Sequence, residues 1–70
     1  MKLSARNQLP GKITHIENGA VNSMVTIDIG GGKQITATIS LKSVEDLGLA
    51  VGKDAIAVIK ATSVMVGIND

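Results

Sequence analysis

The sequence of 70 residues contains no cysteine, no phenylalanine, tyrosine or tryptophan, and only one histidine, His15. Without cysteine no disulfide can form. No Cys, His or Glu stands at metal-ligand spacing from His15, so we expect no direct metal-ion ligands. The sequence also lacks a nucleophile with its base and a recognisable pair of catalytic carboxylates. We therefore predict that the chain is not an enzyme and carries no cofactor.

Charged residues are few and balanced in sign. Seven Lys and Arg residues stand against six Asp and Glu, giving a formal net charge of +1 with no block of like charge. Single-stranded nucleic acid is usually bound by aromatic stacking along a basic groove, and this chain offers neither. The N-terminus lacks the apolar core of a signal peptide, and no apolar run approaches the roughly 20 residues that cross a bilayer. We expect a cytoplasmic protein that binds neither nucleic acid nor membrane.

The chain is short for a stable domain. A domain of this size buries only about 60% of the surface that its unfolded form exposes, and neither disulfides nor a structural metal can add support here. The hydrophobic fraction of 44% includes no aromatic residue, so aliphatic side chains and methionine must build the whole core. Residues 1–70 are therefore predicted to form a single domain that gains stability as a homo-oligomer with apolar interfaces.

Two runs with a period of two indicate a β-hairpin. Alternation of β-branched and polar residues favours strands that bury one face. Gly30-Gly31-Gly32 lies between the runs and supplies the positive φ angles that a tight turn needs. The residues predicted to face the core are Val21, Ser23, Val25, Ile27 and Ile29 in the first run and Ile35, Ala37, Ile39 and Leu41 in the second.

Three further strands are predicted. Gly11 to Ile16 is the first, with Pro10 at its start, where the missing N–H does no harm, and with an Asn-Gly turn after it. Lys53 to Ala61 is a later strand, whose continuous apolar stretch indicates burial on both faces. Val64-Met65-Val66 is a last short strand.

One short helix is predicted between the hairpin and the later strands. Leu41 to Leu47 has apolar residues at three-residue spacing, Gly48 stands where it can end the helix, and Ser40 or Ser43 can cap the start. The order of three strands, a short helix and two strands is typical of an all-β fold, a small OB-like five-stranded barrel with one short helix.

Hydroxyl-bearing and basic residues stand at the ends of these elements. Ser4 and Arg6 precede the first strand, Ser40 and Ser43 flank the helix start, and Lys60 ends the fourth strand. A helix start offers free N–H groups and partial positive charge to an anion, and Arg and Lys add full charges. Taken singly, Ser40 and Ser43 are more often simple helix caps, and Arg6 and Lys60 are more often solvated charges.

A site made of these groups is rich in donors and poor in acceptors. Hydrogen phosphate carries a proton that needs an acceptor, whereas molybdate, tungstate and sulfate are fully deprotonated near neutral pH. Phosphate should therefore be disfavoured. Sulfate differs from molybdate only in its smaller size, so a rigid pocket fitted to the larger ion would leave the sulfate oxygens short of their donors. The sequence does not reveal the size of the pocket.

Three segments, in order, resemble the motifs of the molbindin domain over essentially the whole chain. They are Ser4-Ala5-Arg6-Asn7-Gln8-Leu9 with Gly11-Lys12, Ile39-Ser40-Leu41-Lys42-Ser43-Val44, and Val58-Ile59-Lys60-Ala61-Thr62-Ser63-Val64-Met65. The resemblance implies an OB-like barrel that binds molybdate. Such domains occur alone, in tandem, and as the sensing part of molybdate-dependent regulators and transporter ATPases. The lone form is implied to be a hexamer, a trimer of dimers.

The resemblance also implies which residues bind the oxyanion, in sites that lie between subunits. Ser4 and Arg6 act as donors with the backbone of Ala5, Ser40 and Ser43 supply hydroxyls, Lys60 supplies charge, and Ala61 offers a backbone N–H. Related chains have small or hydroxyl-bearing residues after the lysine, and Ala61 can offer only its main chain. A second class of site near the symmetry axis is expected around Asn18, Gly19 and Asn22.

We therefore expect reversible binding of molybdate, and similarly of tungstate, for intracellular molybdenum storage, with no chemistry performed on the ion. Two alternatives stay open. The chain can be an OB-like module for single-stranded nucleic acid, against which the absent aromatics argue, or a purely structural or regulatory oligomer. Whether it stores, delivers or senses the ion is not fixed by the sequence.

Overall fold

A computed structural model describes all residues from Met1 to Asp70. Every neighbouring pair of strands is antiparallel, and the four strands follow the order β3-β2-β1-β4 across one sheet. The elements are β1 (Asn7–Asn18), β2 (Asn22–Gly30), β3 (Lys33–Ser40), α1 (Leu41–Asp46), β4 (Asp54–Ile59) and a 3₁₀ turn (Ala61–Ser63). The predicted class, an all-β OB-like fold with one short helix, is confirmed.

The predicted hairpin is the best-matched part of the molecule. Val25 stands opposite Ala37 and Ile27 opposite Ile35 in the β2–β3 ladder. The turn glycines have φ angles of 95°, 62° and 75°, the left-handed region in which glycine alone is unstrained. Of the β2 positions predicted to face the core, Ser23, Val25 and Ile27 are buried and Ile29 is half-buried, whereas Val21 lies before the strand and is exposed.

The predicted number of strands was wrong by one. Val64-Met65-Val66 is not a strand in the single chain, because no neighbouring strand pairs with it. The sheet consequently has four strands, and β3 and β4 are its two edges. The first strand is longer than predicted and runs through Pro10, where β1 pairs with β4 but has no β2 residue opposite. Pro10 therefore costs β1 no hydrogen bond to β2.

Burial of β4 on both faces was also predicted and is wrong for the single chain. Ala57 is buried, but Ile56 and Val58 on the other face are 44% and 43% exposed. The reason is that β4 packs against the core through Ala55 and Ala57 on one face, while nothing in the single chain covers its other face. The apolar run in the sequence thus exceeds what this chain can cover.

Gly11 allows β1 to approach β2 closely. A Cβ atom at this position would overlap the carbonyl oxygen of Asp28 and would lie 2.8 Å from Cγ2 of Ile27. Two residues later Ile13 is almost fully buried, and a bulge follows between Ile13 and His15. Gly11 therefore permits the close approach of β1 and β2 beside the buried Ile13.

The core of the single chain is small. Only five residues are buried: Ile13, Val25, Ile27, Ala57 and Ser23. The accessible surface is 5526 Å², whereas a folded monomer of 7.2 kDa exposes about 4100 Å². The chain therefore exposes about 1400 Å² more than a typical compact monomer of its mass.

Candidate functional site

Five of the seven predicted site residues lie in two segments that adjoin paired strand ends at one end of the sheet. We call them the basic cluster: Ser4, Ala5, Arg6, Lys60 and Ala61. β1 begins directly after Arg6, β4 ends directly before Lys60, and Asn7 is paired with Ile59 in the ladder. The side-chain Nδ2 of Asn7 also donates to the carbonyl oxygen of Ile59 at 3.2 Å. Strand pairing thus joins two segments from opposite ends of the sequence.

Both cations of the basic cluster lack a carboxylate partner. The two ion pairs of the molecule are elsewhere, Lys12 with Asp54 at 2.8 Å and Lys42 with Asp46 at 3.5 Å. Arg6 and Lys60 are exposed. An anion can therefore bind between them without breaking an existing ion pair, and each contact would be a charge-assisted hydrogen bond.

The backbone of the basic cluster adds donors. Gln8 Nε2 donates to the carbonyl oxygen of Ala5 at 3.1 Å, which fixes the peptide group after Ala5. The amide N–H of Ala5 lies outside the strands and makes no backbone hydrogen bond. Ala61 begins the 3₁₀ turn, where the first N–H groups have no partner within the turn. The cluster consequently presents donors and positive charge and no carboxylate.

Ser40 and Ser43 form the hydroxyl cluster at the start of α1. Ser40 is the N-cap: its Oγ accepts from the backbone N–H of Ser43 at 3.0 Å. Its hydroxyl donates to Oγ of Ser43 at 2.8 Å. The capping interpretation is therefore confirmed for Ser40 in the single chain. Because the Ser43 oxygen accepts from Ser40, the Ser43 hydrogen is left to donate elsewhere.

The two clusters lie at opposite ends of the sheet. The basic cluster adjoins Asn7, the first residue of β1. At the other end of β1, Asn18 pairs with Ser23, and the neighbouring Asn22 pairs with Ser40. A strand of 12 residues spans roughly 35–40 Å, and the longest extent of the molecule is 40 Å. One chain therefore does not bring all seven predicted residues together.

The turn expected to hold a second site lies beside the hydroxyl cluster. The Ser23 hydroxyl is buried and donates to Asn18 Oδ1 at 2.8 Å, which holds the turn between β1 and β2. Leu41 N donates to Val21 O at 3.0 Å and ties this turn to α1. An open cleft of about 310 Å³ is lined by Glu17, Asn18, Gly19, Asn22, Ser23, Met24 and Thr38.

Two features of the structure were not predicted from the sequence. One is the role of Asn7, whose side chain braces β1 against β4 beside the basic cluster. The other is the Lys12–Asp54 pair, in which the hydrogen bond and the positive charge of Lys12 lower the pKa of Asp54 below its ordinary value. Lys12 and Asp54 are far apart in the sequence and meet only because β1 pairs with β4, so no local pattern predicts their contact.

Two other features are absent from the structure. No three His, Cys, Asp or Glu side chains come together in a way that holds a metal ion. None of the helices has the length and apolar character to cross a membrane.

Known proteins similar to this chain share both its sequence and its fold. Residues 3–66 match the TOBE domain family. The chain is 63% identical, over 99% of its own length and 100% of the relative's, to the "probable molybdenum-pterin-binding protein" of Haemophilus influenzae. A molybdate-binding protein from Sporomusa ovata has 35% identity and a TM-score of 0.90 over 97% of this chain and 100% of that one. The cytoplasmic molybdate-binding protein ModG, with molybdate bound, has 49% identity and a TM-score of 0.84, over 87% of this chain and 43% of its own.

Proposed function

The chain belongs to the TOBE domain family, in its Mop-type molybdate-binding group, and from that premise we propose that it binds molybdate reversibly. The observation that carries the proposal is the basic cluster, where Arg6 and Lys60 stand together without a carboxylate partner. Two cations with backbone donors match an oxyanion that carries two charges and no proton. The protein performs no chemistry on the ion.

We place each molybdate between two subunits. The basic cluster and the hydroxyl cluster lie at opposite ends of one chain, so both can contact one ion only if they come from different chains. The excess surface of about 1400 Å² supports association. The assembly we propose is a hexamer built as a trimer of dimers, in which Ser4, Ala5, Arg6, Lys60 and Ala61 of one subunit face Ser40 and Ser43 of another.

The proposed ligand is the bare oxyanion. The Haemophilus influenzae relative is named for binding molybdenum-pterin, and ModG for binding molybdate. A pterin is a flat aromatic ring system, which proteins usually hold by stacking, and this chain has no aromatic side chain to stack on it. The donors of the basic cluster suit the oxygen atoms of the ion. Tungstate has the same charge and nearly the same shape, so it should bind similarly.

The role that we propose is cytoplasmic storage of molybdenum. Binding without chemistry releases the ion unchanged when its free concentration falls. Since a ligand that binds only the assembled form stabilises that form by mass action, occupancy and assembly should rise together. Nucleic-acid binding is not proposed, because the chain lacks both aromatics and a basic groove.

Isothermal titration with molybdate, repeated in excess sulfate and then in excess phosphate, tests the proposal. Saturable uptake that phosphate does not perturb is expected, and an equally small effect of sulfate would show a pocket fitted to the larger ion. Arg6→Ala and Lys60→Ala should each weaken affinity about 10–100-fold, the value of one charge-assisted hydrogen bond. Lys33→Ala removes the same charge from an exposed residue at the β2–β3 turn and should leave affinity unchanged.

Each contrary result has a distinct meaning. Absence of binding heat with molybdate, confirmed by equilibrium dialysis, would favour a purely structural role for the protein. Tight binding of a molybdenum-pterin without binding of molybdate would identify the pterin complex, and not the free ion, as the ligand. Equal losses in all three variants would show that net charge, and not the basic cluster, controls binding.

A further inference from the structure

The side chain of Asn7 ties together the two segments of the basic cluster. Asn7 directly follows Arg6 in the sequence, and its ladder partner Ile59 directly precedes Lys60. Asn7 Nδ2 donates to the carbonyl oxygen of Ile59 at 3.2 Å, and that carbonyl is part of the peptide group that carries the Lys60 N–H. One hydrogen bond between residues 52 apart in the sequence therefore fixes the end of one segment against the start of the other.

The next residue, Gln8, acts on the peptide group before the other cation. Gln8 Nε2 donates to the carbonyl oxygen of Ala5 at 3.1 Å, and that carbonyl is part of the peptide group that carries the Arg6 N–H. Asn7 is half-buried, whereas Gln8 is exposed. Because water competes for an exposed donor, the hydrogen bond of Gln8 should hold its peptide group less firmly than that of Asn7 does.

The charged side chains of the cluster are poorly suited to measure the size of an ion. Arg6 and Lys60 are exposed, have long flexible stems and take part in neither ion pair of the molecule. Their charged ends can therefore follow a smaller ion inward as readily as a larger one. Backbone N–H groups cannot do so when the peptide groups beside them are held in place. Discrimination by size must accordingly come from the backbone of the cluster.

We propose that Asn7 is a positioning residue that sets the spacing of these backbone donors and thereby favours molybdate over sulfate. The two ions have the same charge and shape, and sulfate is the smaller. Donors fixed at the spacing of the larger ion leave the oxygens of the smaller one beyond hydrogen-bond distance. Gln8 acts in the same way and more weakly. This inference rests on the proposed binding of molybdate and names the residue that makes it selective.

Loss of the Asn7 hydrogen bond should change the two affinities in opposite directions. Backbone donors that are no longer held can move inward to meet the oxygens of sulfate, so sulfate should bind more tightly. Molybdate should bind more weakly, because binding must then restrict donors that were fixed beforehand in the parent. A residue that merely supported the fold would weaken the binding of both ions by the same factor. The ratio of the two affinities therefore separates positioning from general support.

Asn7→Leu removes the donor while keeping a side chain of similar size, and Gln34→Leu is the matched control. Gln34 is an exposed amide in β3, which pairs with neither β1 nor β4. Isothermal titration gives the dissociation constant for molybdate, and displacement of bound molybdate gives that for sulfate. Asn7→Leu should reduce the sulfate-to-molybdate ratio of dissociation constants about 3–10-fold, the value of one hydrogen bond. Gln8→Leu should reduce the ratio less, and Gln34→Leu should leave it unchanged.

The contrary results are distinguishable. An unchanged ratio in Asn7→Leu would overturn the inference and leave the binding of molybdate in place. A parent protein that binds molybdate and sulfate equally well would do the same, because no selectivity would exist for Asn7 to set. A parent protein that binds neither ion would overturn the proposed function and this inference with it.

Backbone dynamics test the role of Asn7 without any oxyanion. Nitrogen-15 relaxation in a buffer free of oxyanions gives the order parameter of the Lys60 N–H. That order parameter should fall in Asn7→Leu while those of β2 and β3 stay unchanged. Asn7→Ala removes the same donor without adding bulk and should give the same result. An unchanged order parameter at Lys60 in both variants, with the circular dichroism spectrum of the parent, would overturn the inference whatever the anion affinities.

Discussion

Replacing Gly11 by alanine tests the close approach of β1 and β2. The φ angle of Gly11 lies outside the left-handed region, so alanine meets no backbone penalty there. The added methyl group would overlap the carbonyl oxygen of Asp28 and press on Ile27 Cγ2 at 2.8 Å. The overlapping atom belongs to the backbone of β2, an inner strand of the sheet, and cannot move aside as a side chain would.

The expected cost follows from two opposing effects. Overpacking in a closely packed region costs about 1–3 kcal/mol. Alanine also lowers the conformational entropy of the unfolded chain, which offsets about 0.4–1 kcal/mol of that cost. We expect Gly11→Ala to lower the free energy of unfolding by about 1–2 kcal/mol. Urea denaturation at one fixed protein concentration measures this, because the stability of an oligomer depends on concentration.

Gly67→Ala is the matched control. A Cβ at Gly67 meets no atom within 4 Å, and its φ angle is also outside the left-handed region. Its free energy of unfolding should equal that of the parent or exceed it by up to about 1 kcal/mol, because only the entropy effect of alanine acts there. If Gly11→Ala were as stable as Gly67→Ala, β1 and β2 would not approach as closely as described, and the placement of Ile13 in the core would need revision.

Three further predictions concern stability. Ile13→Ala removes the most buried aliphatic side chain and should cost about 2–5 kcal/mol in urea denaturation, whereas a cost under about 1 kcal/mol would place Ile13 outside the core. Ser40→Ala removes the N-cap and should cost about 0.5–2 kcal/mol, and Ser40→Asp should restore most of it by capping α1; equal loss in both would exclude a capping role. The lowered pKa of Asp54 means that its pairing with Lys12 stabilises the fold above about pH 4 and that this contribution is lost as pH falls through the folded pKa. Asp54→Asn should therefore flatten the acid side of the stability profile, most visibly at low salt, and an unchanged profile would contradict the pairing.

Local patterns in the sequence were sufficient to predict the hairpin and the helix. The alternation in β2 and β3 and the three turn glycines predicted both the strands and the buried face. The helix was predicted as Leu41 to Leu47 and observed as Leu41–Asp46 with Leu47 as C-cap, and Gly48 follows with a φ of 63°. In both cases neighbours in sequence make the decisive contacts.

Long-range pairing was beyond local patterns. The sequence placed Ser4, Arg6 and Lys60 at element ends, but only the pairing of Asn7 with Ile59 shows that these ends meet. It likewise grouped the serines of the hydroxyl cluster with them, although the sheet separates the two clusters. The strand predicted at Val64-Met65-Val66 rested on apolar residues alone, and no strand of the single chain pairs with that segment.

The most direct test of a shared site is complementation between two defective variants. Arg6→Ala and Ser43→Ala are each expected to lose tight molybdate binding when alone. After the two are mixed and reassembled at random, about a quarter of the sites should combine an intact basic cluster with an intact hydroxyl cluster from different subunits. Equilibrium dialysis should then recover about that fraction of parental capacity at parental affinity. No recovery, although mixed oligomers form, would contradict a site shared between chains.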